Sequence, residues 1–404
     1  MKKLVVLSLV TFVVVCGRAD WWYEASADGK SDKIVSTGGW TIPCTRDTKT
    51  GAIMTGKSTA GSETDVDLRN VTGLPDGAKI TTLGYQTFRS KVAITSVLLP
   101  DTITTFANEV FTGCSSLTNV WPFLPPSVTT LGRMVFNACL KLTGDLEIPN
   151  VASAGDYAFG GDNASYGTAI KSAKLGSGLQ TIPGGLFGGC SSMTSVVFGA
   201  GSQVTSIGAK AFINCSSLTE ISPFLPSGVT SIGNQAFNGC TSLALPLSLP
   251  SIVKLDDSYA FGGGSYPYAA HPTSIVLGTN VVTVGKYAFN GCGTAEVTFL
   301  GDFTPTTIGG SAFGFTATNM NFRARPPETT VLNTLVTATK DGGTFHCSKN
   351  QGWREVEGVT KPTDADKAAH PGCFGVYAQV SNHKVYLIHA PSPFDPVGMQ
   401  VILR

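Results

Sequence analysis

The residues of this 404-residue chain with chemistry to offer are ten cysteines, five histidines and ten tyrosines. Six cysteines, Cys114, Cys139, Cys190, Cys215, Cys240 and Cys292, recur one at a time, each three residues after a phenylalanine. Thiols in series could hold a soft metal or cycle as disulfides. Zinc sites, however, draw on paired ligands such as Cys-x-x-Cys with histidine nearby, and the series contains no such pair. Free cysteine is among the most buried residue types, so the series reads as reduced, unmetallated structural thiols. Cys44, Cys347 and Cys373 stand outside it. The last two could bridge each other, or remain free, because connectivity does not follow from spacing. Four of the histidines (His346, His370, His383 and His389, but not His271) fall after residue 344. No HExxH, GxSxG or Walker loop accompanies them, and GGLFGG (184–189) occupies a turn position. We therefore expect no catalytic residues, no metal, no cofactor and no enzyme.

Two features could bind instead. GGDNASYGTA (160–169) and GGGSYPYAAH (262–271) are long insertions that display Tyr166, Tyr266 and Tyr268, aromatic residues of the kind that anchor interfaces. The bland alternative is a pair of neutral loops that tolerate length. The second feature is a strand face on which Thr118, Asn119, Thr194, Ser195, Thr219 and Glu220 alternate with apolar residues, with Thr194 and Thr219 as candidate contacts. Such a Thr/Ser-rich, weakly charged face can hydrogen-bond a protein or a glycan but has no steering field. Trp121 with the two Pro-Phe-Leu-Pro segments (122–125 and 223–226) is a further candidate binding feature, though filling of the core beside the strand is the favoured reading.

What must position these residues is a repeat. Phe88, Phe111, Phe136, Phe159, Phe187, Phe212, Phe237, Phe261, Phe289 and Phe313 are separated by 23 to 28 residues. Glycine precedes the phenylalanine by four positions in seven copies, which we read as a sharp turn, and alanine directly precedes it in six. An apolar residue follows each cysteine by three (Leu117, Leu142, Met193, Leu218, Leu243, Ala295), opening a short β-prone run such as MTSVVF (193–198). A period of this length is the mark of a solenoid, in which each unit stacks only on its neighbours. A longer period overlies it: Phe111 to Phe187 map onto Phe212 to Phe289 at offsets of 101 or 102, as a four-repeat block duplicated once.

The unit Ile-Gly-x-x-Ala-Phe-x-x-Cys-x-x-Leu-x-x-Ile resembles the BspA-like leucine-rich repeat family of microbial surface proteins, over roughly residues 64–322. The resemblance implies a β-rich solenoid of the α/β leucine-rich repeat type, with short strands and short helical turns. It places the cysteine inside the coil, capping backbone at the turn. It also implies a secreted or cell-surface scaffold for protein–protein or adhesive contacts. A structural matrix protein without a specific ligand, and a secreted enzyme with its site near the C-terminus, are the competing classes.

The ends complete the plan. Lys2 and Lys3 precede an apolar run, Leu4–Val15, and Gly17-Arg18-Ala19 supplies small residues for cleavage after Ala19, as in a secretory signal. Acylation of Cys16 is the lipoprotein alternative. Residues 20–63, with Trp21, Trp22, Tyr23, Trp40 and a hairpin across 40–54, are assigned as an N-terminal β cap packed on the first coil. Residues 64–323 form the solenoid of about ten repeats. Residues 324–404 are assigned as a C-terminal cap and small β module: a helix or strand at 331–339, a polar linker at 360–372, a hairpin at 374–390 and a last strand at 399–404. The formal charge is +1, with 14% charged residues and no basic stripe, which excludes a nucleic-acid footprint. No second apolar run offers a transmembrane segment. The implied partner is a surface or extracellular protein, or a glycan.

Overall fold

The computed structural model describes residues 19–26, 31–163, 165–223, 225–256, 258–263, 269–293, 296–301, 303, 305–314, 317–322, 329–336, 339–347, 356–379 and 383–389. The repeats wind as a stack of coils held by three parallel ladders. The first ladder uses the run after each cysteine. Its strands are Asp65–Asp67, Ser96–Leu98 and Asn119–Trp121, then Thr143–Ile148, Ala169–Leu175, Ser195–Phe198 and Glu220–Ser222, then Leu247–Leu249, Ser274–Leu277, Glu296–Phe299 and Ala317–Phe322. Register keeps one apolar residue inward on every strand: Val66, Val97 and Val120, then Leu146, Ala173, Val196 and Ile221, then Leu247, Ile275, Val297 and Met320. A slip of one residue would turn that whole row to solvent, which is what fixes the pairing.

The ladder is interrupted twice, between Asn119–Trp121 and Thr143–Ile148 and again between Glu220–Ser222 and Leu247–Leu249. Both interruptions follow a Pro-Phe-Leu-Pro segment, so they fall at the same point of each duplicated block. Proline carries no N–H to donate, and its fixed φ takes the chain out of the strand.

The second ladder consists largely of two-residue strands that end five or six residues before the phenylalanine, such as Thr181–Ile182, Ser206–Ile207, Ser231–Ile232 and Lys254–Leu255. The third lies in the turn that carries the phenylalanine. Among the described residues this turn holds no α-helix. Instead, the residue two before each phenylalanine is left-handed in all ten coils, with φ between 54° and 62°. Only Gly185 among these is a glycine; the others include Gln86, Lys210, Gln235 and Tyr287. Alternating hand points every second N–H along the solenoid axis, while those between, such as Ala211 and Ile213, bond within their own coil. Lys210, Phe212 and Asn214 thus donate to the carbonyls of Asn234, Ala236 and Asn238 on the next coil at 2.7–2.8 Å.

The glycine four before phenylalanine has a different reason from the one expected. Gly132, Gly208, Gly233 and Gly309 are not left-handed. At Gly233 an added Cβ would lie 2.5 Å from the Ala209 nitrogen, so glycine is there because the neighbouring backbone occupies the space. The ten phenylalanine rings form one continuous buried column, with successive centroids 5.0–5.7 Å apart and planes within 22°. Burying one such side chain is worth about 1.5–3 kcal/mol.

Each end is closed by extending a different ladder. At the N-terminal end Trp21–Glu24, Lys33–Ser36, Thr41–Arg46 and Ala52–Thr55 form an antiparallel meander whose last strand pairs in parallel with Lys79–Leu83 of the second ladder. Trp40 meets the first ring of the column edge-on, 6.1 Å from Phe88, and Trp21 packs on Trp40. At the C-terminal end the first ladder continues through Thr339–Cys347 to His383–His389, then turns antiparallel to Cys373–Gln379 and Val359–Thr360. The segment expected as a helix or strand is helix α1 (Thr329–Val336), with Leu332, Leu335 and Val336 buried. The expected linker contains a helix, α2 (Asp364–Ala369), closed by a capping box between Thr363 and Asp366. The sequence signal was Thr-x-x-Asp ahead of Ala-Ala. Residues 1–18, 323–328 and 390–404, where the leader and the last strand were expected, lie outside the described residues.

Candidate interaction surface

The six ladder thiols are fully buried, and each donates to the carbonyl of the phenylalanine one coil back. Cys114 reaches Phe88 O at 3.0 Å; Cys139, Cys215 and Cys240 reach Phe111, Phe187 and Phe212 O at 3.1 Å. Cys190 and Cys292 reach Phe159 and Phe261 O at 3.5 and 3.6 Å. That carbonyl also accepts an N–H from its own coil, as Phe111 O does from Cys114 and Phe159 O from Thr168, so the thiol completes its second acceptor site. Burial pushes Cys114 up to about 12 and Cys190 to about 11, the latter held back by the Thr168 hydroxyl. Such thiols are neither nucleophiles nor ligands at physiological pH. Cys44 and Cys373 are also free and buried. The side chain of Cys347 lies outside the described residues.

The histidines take individual places. His370 stacks on Tyr386 at 4.0 Å, His389 stacks on Phe374 at 4.6 Å, and His346 Nε2 lies 2.9 Å from the Thr344 hydroxyl. His271 sits at the end of the second long insertion, and the side chain of His383 lies outside the described residues. Among the described residues no group of three or more His, Cys, Asp or Glu is arranged to hold a metal ion.

Of the candidate contacts, Tyr166 is 48% exposed at the tip of the first long insertion. That loop is pinned by Asp162, which accepts from Tyr157 Oη (2.9 Å) and from Lys210 Nζ (3.0 Å), while its carbonyl accepts from Asn214 Nδ2 (3.3 Å). Lys210 holds the Asp162 carboxyl below its ordinary range, and burial with the Asp162 hydrogen bond pushes Tyr157 to about 12. The loop thus lies back over two further coils. Tyr266 and Tyr268 lie outside the described residues. Thr194 and Thr219 are exposed, but their hydroxyls donate to Lys171 O (3.1 Å) and Thr194 O (3.2 Å) across the first ladder. Thr95 and Thr118 make the same bond. These threonines fasten one coil to the next.

Two readings of the strand face require correction. Trp121 does not fill the core: it is 60% exposed on the outward side of its strand. The alternation that turns Val120 inward turns Asn119 and Trp121 out, and of the following segment Leu124 is buried and Phe123 only partly so, while Phe224 lies outside the described residues. Nor is the face uniformly weakly charged. Exposed positions of the first five strands include Asp65, Asp67, Asp145, Glu147, Lys171 and Lys174, with Lys174 Nζ 3.9 Å from Glu147; those of the next four are Ser195, Val197, Glu220, Ser222, Ser248, Ser274 and Val276. The signal was present in the sequence, as Asp-Val-Asp with no Cys-x-x-Leu before it and as Asp-Leu-Glu after Cys139-x-x-Leu142, where the inward residue comes one position later than usual.

Three comparisons bear on identity. The model of the BspA-type leucine-rich repeat region matches residues 66–165, 161–266 and 264–326. A search among curated proteins finds no match to the sequence. Solved structures that resemble the chain include a leucine-rich repeat protein of Bacteroides ovatus, 17% identical, with a TM-score of 0.42 over 78% of this chain and 96% of that one. A leucine-rich cell surface protein of Faecalibacterium prausnitzii is also 17% identical, with a TM-score of 0.46 over 78% and 95%. The pneumococcal vaccine antigen PcpA is 13% identical, with a TM-score of 0.36 over 82% and 78%. Identities and scores this low carry no function across. The family model, in contrast, spans more than half of the sequence and coincides with the coils that carry the phenylalanine column. The chain belongs to the BspA-type leucine-rich repeat family.

Proposed function

We propose that this protein is an exported, surface-displayed scaffold that holds a protein partner and performs no chemistry of its own. The observation that carries the reading is the division of labour within each coil. Every inward position is committed to the column and ladders, and every ladder thiol is buried and neutral. The outward positions are left free to vary between coils, as a recognition surface requires. Export is supported by the leader pattern, and no helix among the described residues is long and apolar enough to cross a membrane. Adhesion would use the strand face or the loop of Tyr166, with its counterpart carrying Tyr266 and Tyr268.

The test has two parts. N-terminal sequencing of exported material should find Asp20; an acylated Cys16 would make the protein a lipoprotein, and an intact Met1 would end both versions. The exported chain should then retain a saturable protein partner, and the triple change of Tyr166, Tyr266 and Tyr268 to Ala should weaken it without loss of fold. Unchanged binding would remove the loops and leave the strand face. Substrate turnover that vanishes on deleting 344–404 would overturn the scaffold reading.

A further inference from the structure

We infer that the first long insertion is a strap, fixed across three coils by Asp162, that holds Tyr166 ready for a partner and is loosened by salt. The inference rests on the scaffold reading and concerns the regulation of that same loop. The seat of the strap is GGLFGG (184–189), the turn of the following coil, whose glycines leave room for the insertion. A Cβ at Gly185 would lie 2.2 Å from the Tyr157 ring, and one at Gly188 would lie 2.3 Å from Gly161 O. From the other side, a Cβ at Gly167 would lie 2.1 Å from Gly189 O. Side chains at these positions would lift the loop off the coil. Gly161 N–H closes the contact by donating to Gly188 O at 2.7 Å.

Asp162 carries the strap one coil further. Its carboxylate accepts from Tyr157 behind it and from Lys210 ahead, and its carbonyl accepts from Asn214. Lys210 and Asn214 stand two residues either side of Phe212, two coils beyond Phe159. The tip that follows is closed by its own backbone. Ser165 N–H donates to Asn163 Oδ1 at 2.9 Å, Tyr166 N–H donates to Asn163 O at 3.0 Å, and Ala138 N–H donates to Tyr166 O at 2.8 Å. The Tyr166 backbone is therefore fixed while its side chain stands exposed, the state in which an aromatic anchor loses least freedom on binding. The duplicated block supplies the internal control. At the positions of Asp162, Gly185, Gly188 and Lys210 it carries Gly264, Tyr287, Asn290 and Ser311, so it has neither the ion pair nor the bare seat. Tyr287 is covered there by Tyr259, stacked at 4.8 Å. The Asp162 and Lys210 side chains are 57% and 34% exposed, so dissolved salt reaches the pair and screens it.

The experiment follows chymotrypsin cleavage after Tyr166 in the full chain, where the cut waits on local opening of the loop. The cut after Tyr268, in the insertion without the ion pair, is the reference to which every rate is scaled. Lys210→Ser, which copies the second block, should speed the cut about threefold at 20 mM NaCl, and Lys210→Arg should keep the parent rate. Raising NaCl to 300 mM should speed the parent about twofold and leave Lys210→Ser unmoved. Gly188→Ala should give the largest rise, about tenfold or more, because its methyl group displaces the Gly161 backbone. Lys210→Ser should melt at the temperature of the parent. Equal rates in parent and Lys210→Ser, a parent rate indifferent to salt, or Lys210→Arg as fast as Lys210→Ser would overturn the strap. A saturable protein partner indifferent to Tyr166→Ala would overturn the anchoring role alone, with the cleavage rates still reporting the strap.

Discussion

The two copies of the duplicated block keep nearly the same interior and differ in their exterior. Phe136 and Phe237 sit at matched points of one ring column, and Cys139 and Cys240 cap the matched carbonyls. Asn137 and Asn238 donate to Gly160 O and Gly262 O at 2.6 and 2.7 Å. Outside, Trp121 corresponds to Ser222; inside, Thr168, buried beside Cys190, is replaced by the buried Ala270. At the first ladder interruption Asn150 Nδ2 donates to Pro126 O at 2.8 Å and closes the gap. In the second block both residues are serine (Ser251 and Ser227), and a groove of about 430 Å³ opens, lined by Pro223, Leu225, Pro226 and Ile252. Leu225 there is left-handed, unlike Leu124. A coil tolerates almost any change that leaves its inward row and axial hydrogen bonds alone.

The strongest way to break this equivalence is through the column. Phe136→Ala and Phe237→Ala should each cost ~3–5 kcal/mol, and agree within about 1 kcal/mol, in urea unfolding. A large disparity would mean that the interiors differ after all.

Next come the thiols, whose folded pKa values are raised by burial from an ordinary value of 9.0. Raised acids favour the folded state fully below pH 9. That contribution is lost as pH climbs toward about 12, because the unfolded chain sheds its protons first. Stability should therefore fall between pH 9 and 11, by about 1 kcal/mol per thiol at pH 10. The two blocks should differ: Cys190 has the Thr168 hydroxyl, whereas burial alone acts on Cys292. Cys292→Ala should flatten the alkaline loss more than Cys190→Ala does.

How much of this could be read from the residues follows from where each signal lives. The column, the thiol caps and the long ladder each depend on side chains that repeat at a fixed spacing, so Phe, Cys and Leu mark them directly. The turn ladder depends on backbone hand at positions filled by Gln, Lys, Tyr and Ser, residues with no common side chain to detect. Gly233 was visible, but its reason was not, since the atoms it avoids belong to Ala209, one coil away. Trp121 was misjudged because an aromatic beside a strand carries no mark of which side it faces until Val120 is known to point in. The choice of ladder that each end extends depends on pairings such as Ala52 with Lys79, which are distant in sequence.

Two smaller effects sharpen the comparison. Asn150→Ser should turn the first interruption into a copy of the second, at a cost of about 1 kcal/mol or less, since one exposed hydrogen bond is lost. Calorimetry on that variant beside Ser251→Asn would show whether the closing bond can be transplanted. Smallest is Gln235→Gly. Left-handed backbone costs a side-chain-bearing residue about 1–2 kcal/mol, and glycine returns part of that as unfolded-state freedom. The expected net gain is about 0.5 kcal/mol, read as a slightly higher midpoint; a loss would show that the Gln235 side chain earns its strained backbone through contacts.

The axial direction of all three ladders has a mechanical consequence for a chain displayed on a surface. Tension between the two ends acts along the hydrogen bonds and across the path of the chain. The bonds between one pair of coils must then part together before the next pair carries the load. Under shear the molecule would yield in steps, each freeing one coil of about 25 residues and roughly 80 Å of slack. One block could thus keep its fold while coils beyond it pay out.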